Sequence, residues 1–176
     1  RVWETMRDAL LLALHAPSLD DLRSALDWAE RNDRNLVIAL AGSSWPLWRE
    51  LPVRAEGRRR LSAAVSLLNP DTPQALEAHL RRGLGELYCT TAAVKDARQE
   101  FERAVALFPA LNDTQNLGSA IAAFGYASLM LGNIPEAQAS IDEALQMVER
   151  ARRPRALAAA WSVKFCVEAR LKSPVS

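Results

Sequence analysis

Cysteine is scarce: Cys89 and Cys166 are the only two in 176 residues. They are too few and too far apart for a disulfide framework or a metal knuckle, so a reduced, cytoplasmic setting is expected. His15 and His79 stand 64 positions apart, with no cysteine or carboxylate at metal-ligand spacing around either. Each is therefore expected in a structural or solvated role, and no metal or cofactor is expected in this chain. Charge of one sign is also missing. The 22 Lys and Arg nearly cancel the 21 Asp and Glu, leaving +1, which argues against direct nucleic-acid binding through a general electrostatic field. No apolar run reaches the roughly 18–20 residues of a membrane span, and no secretory signal is visible.

The motifs of common catalytic folds are absent as well. There is no G-x-x-x-x-G-K-[ST] loop to cradle phosphates, no G-x-G-x-x-G turn and no G-x-S-x-G elbow. Cys89 falls inside a helical pattern as a small residue rather than standing as a nucleophile. Asn112-Asp113-Thr114 fits a glycosylation acceptor, a pattern common by chance that has meaning only in a secreted protein. The chain is not expected to be an enzyme on its own.

Aromatic residues make up 6% against an apolar content of 49%. Alanine and leucine must carry the core, as closely packed helices favour, and the length suits a single domain spanning 1–176. The pattern is clearest in the stretch 84–109. Leu84-Gly85-x-x-Tyr88 is followed by Ala97-x-x-x-Phe101, then Ala104 and Pro109. Gly85, Ala97 and Ala104 let two helix backbones approach, Leu84, Tyr88 and Phe101 fill the wedge beside them, and Pro109 stops the second helix.

The pattern recurs at a step of 40 residues. Going forward, Leu84, Gly85 and Tyr88 become Phe124, Gly125 and Ser128, while Ala97, Phe101, Ala104 and Val105 become Ala137, Ile141, Ala144 and Leu145. Going back, Gly57, Leu61, Ala64 and Val65 take the second-helix positions, with Trp45 and Trp48 in the first helix. Self-similarity of this kind signals stacked helix pairs that bury their apolar faces only against their neighbours. The L-G-x-x-Y…A-x-x-x-F…P spacing resembles the tetratricopeptide repeat, with Arg81 where the usual Trp stands. The resemblance implies an all-α fold, a right-handed α-solenoid of antiparallel helix pairs with about nine helices. The step exceeds the family's usual length of about 34 residues. The excess is placed at 69–73 and 110–117, as longer linkers plus about one added turn on each first helix.

Taken in order, residues 1–33 read as a divergent leading helix pair. Val2, Met6, Ala9, Leu10, Ala13 and Leu14 share one face, Pro17 ends the helix, and Ser18 with Asp21 opens the next. That second helix presents Leu22, Ala25, Leu26 and Ala29, with Trp28 beside them. Repeats follow at 35–68, 73–108 and 114–151, and a terminal helix at 154–172. Thr72 is expected to cap the helix that Pro73 begins, and Gly132 to end a helix that Asn133 and Glu136 help restart. Opening on Arg1 within an apolar helical pattern, the sequence reads as a segment of a longer polypeptide.

Trp45-Pro46 falls where glycine stands in later copies, and a mid-helix proline is expected to kink the chain there. Two readings of Trp28, Trp45 and Trp48 stand. They fill the gap beside the kink, or they line an aromatic recess for a ligand or a partner segment. Arg58, Arg59 and Arg60 are placed on an outward side. Together with Arg81 and Arg82, with Arg150, Arg152, Arg153 and Arg155, and with the acidic Asp20, Asp21, Asp27, Glu30 and Asp33, they read as solvated faces or as a polarised docking surface. In solenoids of the family the first helix of each pair lines the concave face. The resemblance thus implies a groove lined by Arg49, His79, Arg82, Glu86, Tyr126 and Met130. Arg49 and Arg82 are suited to a carboxylate, Tyr126 to stacking or a hydrogen bond.

Residues 19–65 carry a second likeness. Asp20-x-Leu22-Arg23-x-Ala25-Leu26-x-Trp28, the helix of Trp45 and Trp48, and Glu56-Gly57-Arg58-x-x-Leu61 form the set. It is similar to the region following the nucleotide-binding core in bacterial winged-helix transcriptional regulators with a signal-transduction ATPase module. This resemblance implies a sensor or scaffold arm whose partners are an attached ATPase or DNA-binding domain, another protein, or a small-molecule effector. The alternative is a free-standing repeat scaffold for complex assembly. No nucleotide-binding or DNA-reading residue of that family has a counterpart in this chain.

Overall fold

Helix after helix forms along the chain, because runs of Ala, Leu, Glu and Arg favour it and the apolar positions recur near the helical period. The computed structural model describes residues 2–150 and 154–172, with side chains from Pro17 onward except at 148, 150, 154–156, 158 and 159. The helices are α1 (Val2–Asn32), α2 (Arg34–Glu50), α3 (Arg54–Val65), α4 (Gln74–Thr90), α5 (Val94–Leu107), α6 (Thr114–Met130), α7 (Ile134–Arg150) and α8 (Pro154–Lys172), with a 3-10 turn at Phe108–Leu111. Among the described residues there is no strand, so the fold is all-α. Helices begin at positions 34, 54, 74, 94, 114, 134 and 154, a constant half-step of 20. The 40-residue period of the sequence therefore recurs in the element boundaries.

Two compact units result, Arg1–Thr91 and Ala92–Ser176. In the first, α1 packs on α2, and α2 packs on both α3 and α4. Trp48, Leu51, Leu61, Leu84 and Leu87 are buried together with Leu26, Ala29 and Ile38. In the second, α6 packs on α5, α7 and α8, and α7 on α8. Ile121, Ile141, Ala144 and Leu145 form its centre with Ala160. Ala64, Ala104 and Ala144, one repeat step apart, are all fully buried.

Several local expectations are corrected. Pro17 does not end a helix but lies inside the continuous α1, so eight α-helices stand among the described residues rather than nine. A proline removes one backbone bond, and the helix-favouring residues on both sides carry α1 across it. Thr72 does not cap α4. Its hydroxyl accepts from Asn69 N at 3.0 Å and donates to Asn69 Oδ1 at 3.1 Å, closing the linker turn instead. The cap position of α4 is Pro73, whose carbonyl accepts from Leu76 N and Glu77 N. Gly132 ends α6 at φ 83°, where only a residue without Cβ sits at ease. The apolar face assigned to residues 2–14, His15, and the arginines at 150, 152, 153 and 155 lie outside the described side chains.

The arginine run in α3 is not simply outward. Arg60 keeps only 12% of its side chain exposed and bridges Asp27 at 2.8 Å, Glu30 at 3.6 Å and Glu56 at 3.3 Å. Arg23 donates to Glu56 Oε1 at 3.0 Å and to Asp20 Oδ1 at 3.0 Å. The Arg23 guanidinium, with Arg60 behind it, holds the Glu56 carboxyl below the usual carboxylate range. Arg58 reaches Thr91 Oγ1 at 3.3 Å. Arg59 stays exposed.

Pro46 also lies within an uninterrupted helix, and it is exposed. Its missing N–H leaves α2 one backbone bond short without any packing by the ring in return. Pro46→Ala is expected to raise unfolding free energy by about 1–3 kcal/mol. Thermal melting followed by circular dichroism measures it, and a lowered midpoint would mean that the proline shapes the packing of α2.

Candidate functional site

Trp45 is the pivot of the residues expected at the groove. It projects from α2 toward α4, where Gly83 leaves room. A Cβ on Gly83 would meet Trp45 Cδ1 at 2.8 Å and its Cβ at 3.0 Å. Two guanidiniums flank the indole, Arg49 at 5.9 Å and Arg82 at 5.5 Å from the ring centroid. At that range each is attracted to the ring, worth about 0.5–1 kcal/mol where water has access. Arg49 Nη1 also lies 3.0 Å from Glu86 Oε2. The Arg49 side chain is 45% exposed while Glu86 is 18% exposed, so the cation is the reachable partner. Four of the expected residues, Trp45, Arg49, Arg82 and Glu86, thus meet on the α2 and α4 surface. Gly83 was not among them, and its only signal was a second glycine two positions before Gly85.

His79 is half-buried on α4, its carbonyl carbon lying 3.3 Å from where a Cβ on Gly42 would project. It stands at the close approach of α2 and α4. Trp48 is fully buried, donates from Nε1 to Ser44 Oγ at 3.0 Å, and presses on Gly57. It belongs to the core and offers no surface to a ligand. Trp28 is 54% exposed on α1, outside the core cluster that holds Trp48.

Tyr126 and Met130 belong to the second unit, where they are exposed one turn apart on α6. Met130 and Leu131 border an open cleft of about 380 Å³ with residues 92–96. That unit has its own polar centre, which the sequence did not reveal. Glu136 accepts from Arg98 Nη2 at 2.8 Å and Nε at 3.1 Å, from the buried Ser128 hydroxyl at 2.6 Å, and from Asn133 Nδ2 at 3.1 Å. The Arg98 guanidinium, helped by Ser128, lowers its pKa. Ser128 stands one repeat step from Tyr88, and that exchange of an aromatic for a small hydroxyl was the available hint.

No family model matches the sequence, and no relative is found among curated proteins. Function must be argued from the chain itself. Among the described residues no group of three or more His, Cys, Asp or Glu is placed to hold a metal ion, and no helix is long and apolar enough to cross a membrane.

Cys89 sits beside Glu86 on α4. Burial, reinforced by that carboxylate, pushes its thiol from an ordinary 9.0 up to about 12. Because the thiolate is the reactive form, alkylation of Cys89 near pH 8 is expected to be about a thousandfold slower than for an ordinary thiol. Timed iodoacetamide labelling with mass spectrometry measures this. Rapid modification of Cys89 in the folded chain would contradict the inert assignment.

Proposed function

We propose that this chain is a non-catalytic binding module, a right-handed solenoid of antiparallel, tetratricopeptide-like helix pairs. It serves as the sensor or regulatory arm of a larger, cytoplasmic ATP-dependent transcriptional regulator of bacterial type. The observation that carries the repeat reading is the 20-residue spacing of seven successive helix starts. Alanines buried one step apart support it, and so does the packing of α2 on α3 and α4 and of α6 on α7 and α8. In a stack of pairs, a first helix touches its own partner and the next first helix in this way.

The binding reading rests on Trp45 with Arg49 and Arg82. A carboxylate brought to this surface competes with Glu86 for Arg49 and stacks its carrier on the indole. Binding would favour one packing of α2 against α4, and an attached switch domain would read that shift as a change in population. Titration of the whole chain with a short peptide ending in a free carboxylate, followed by tryptophan fluorescence, tests the site. The expected result is a saturable change, lost when the peptide is amidated and weakened about tenfold by Arg82→Met. No response to either peptide sinks the assignment.

The regulator arm is tested in the gene. A phosphate-binding loop and the rest of an ATPase module are expected upstream of Arg1, and a start codon within a few codons removes the idea. Exposed Tyr126, Met130 and Leu131 favour a second reading, a free-standing scaffold that holds protein partners without small-molecule control.

A further inference from the structure

Trp45 and Arg49 lie one turn apart on α2, and Arg49 reaches Glu86 on α4, so three kinds of recognition meet at one point. The indole offers an apolar face. Arg49 Nη1 offers a donor, and Glu86 Oε2, 3.0 Å away, offers an acceptor. What an incoming carboxylate does to Glu86 decides which carboxylates fit. The Glu86 side chain is only 18% exposed, and among the described residues Arg49 is the one cation within bridging distance of it. Arg49 also serves a second carboxylate, its Nε lying 3.9 Å from Glu50 Oε1. A bare anion therefore draws Arg49 away and strands a carboxylate with little access to water, or it shares the guanidinium and adds a third negative group to two. Both outcomes cost affinity.

A ligand with its own cation avoids the loss, because the cation takes Glu86 as the anion takes Arg49. The indole favours this arrangement as well. It already attracts the guanidiniums of Arg49 at 5.9 Å and Arg82 at 5.5 Å, and an ammonium is drawn to it in the same way. Spacing fixes the chemical class. Donor and acceptor stand 3.0 Å apart, so the two charges of the ligand must be close neighbours too. In a free α-amino acid, carboxylate and ammonium share one carbon atom. At the C-terminus of a protein the corresponding nitrogen is an uncharged amide, and a lysine or arginine side chain holds its cation several bonds further off. The remaining substituent falls on the half-buried Trp45 ring, which favours an apolar one. We propose that this surface binds a free α-amino acid with an apolar side chain, its carboxylate on Arg49, its ammonium on Glu86 and its side chain on Trp45. The assignment rests on the carboxylate-binding reading of the same surface, and it ranks free amino acids above peptide ends. One such molecule ties α2 to α4 in place of the direct Arg49–Glu86 bridge.

The test titrates the whole chain with L-leucine and with L-methionine, neither of which fluoresces, while tryptophan emission is followed. A saturable change is expected, absent in Trp45→Phe. N-acetyl-L-leucine keeps the anion alone and L-leucinamide the cation alone, and each is expected to bind at least about tenfold more weakly. Glu86→Gln keeps the size of the side chain and removes its charge. The preference for L-leucine over its acetylated form should then fall to about twofold or less, with helical circular dichroism as the control for folding. Suppose neither amino acid responds while a peptide ending in a free carboxylate does, or N-acetyl-L-leucine binds as tightly as L-leucine. The amino-acid assignment then fails and the carboxylate site stands. It fails equally if Glu86→Gln leaves the preference intact, or if the change survives Trp45→Phe and so reports another tryptophan. When no carboxylate of any kind responds, the site itself is absent. Equally tight binding of L-leucinamide would make this a cation site and overturn both readings.

Discussion

Trp48→Ala is expected to remove about 3–5 kcal/mol of stability, the largest loss from any single truncation in the first unit. Trp48 is the largest of the fully buried side chains and belongs to the cluster of Leu51, Leu61, Leu84 and Leu87. Collapse around the missing ring is restricted, because α3 already lies against it through Gly57, which has no side chain to swing into the space. The Ser44 hydroxyl also loses the indole N–H that donates to it. Domains of ordinary size hold about 5–15 kcal/mol in total, so about a fifth or more of the margin goes with one side chain. Urea denaturation followed by circular dichroism gives the value, and hydrogen exchange should show α2, α3 and α4 losing protection. A loss below about 1 kcal/mol would mean that Trp48 is not a core residue, and the recess reading of the tryptophans would return.

The repeat was legible because its signal is steric and recurs. A helix pair can nest only where small residues fall opposite each other, and Gly57, Ala97 and Ala137 keep the 40-residue step while the residues around them vary. From 34 onward, expected helix starts agree with the structure to within a residue or so, because the apolar spacing brackets them and Asp33 and Asp113 cap α2 and α6. Pro17 misled for the opposite reason. A local rule about proline competes with the helical preference of a 31-residue segment, and the segment prevailed. Arg60 was misplaced because its partners Asp27 and Glu30 lie 33 and 30 positions away; nothing in the run Arg58-Arg59-Arg60 says which of the three turns inward. The candidate site was half legible. Register put Arg49, Arg82 and Glu86 on related positions. That Trp45 would lie between the guanidiniums depends on Gly83, a packing partner that no periodicity marks.

Gly42→Val is expected to cost about 3 kcal/mol and to weaken the Trp45 site with it. A Cβ at this position would lie 2.9 Å from Leu80 N and 3.1 Å from Leu80 Cα, with the His79 carbonyl carbon at 3.3 Å. These are backbone atoms of α4, so relief requires moving a helix rather than turning a side chain. Two effects oppose each other. Replacing a mid-helix glycine by alanine usually gains about 0.5–1 kcal/mol, while overpacking a tight contact costs about 1–3 kcal/mol. Alanine should therefore lose only about 1 kcal/mol net, and valine, with two more carbons and poorer helix propensity, about three times that. Exposed Ser43, next in the same helix, is the control, and Ser43→Ala should stay within about 0.5 kcal/mol. Function should follow the geometry. The Arg49–Glu86 bridge and the seat of Trp45 on Gly83 both span α2 and α4, so parting the two helices separates the groups that a carboxylate must meet together. If Gly42→Val loses stability yet answers the carboxylate peptide unchanged, the site does not depend on the α2–α4 contact, and the coupling proposed between binding and helix packing fails. A parallel loss of both is the result the contact predicts.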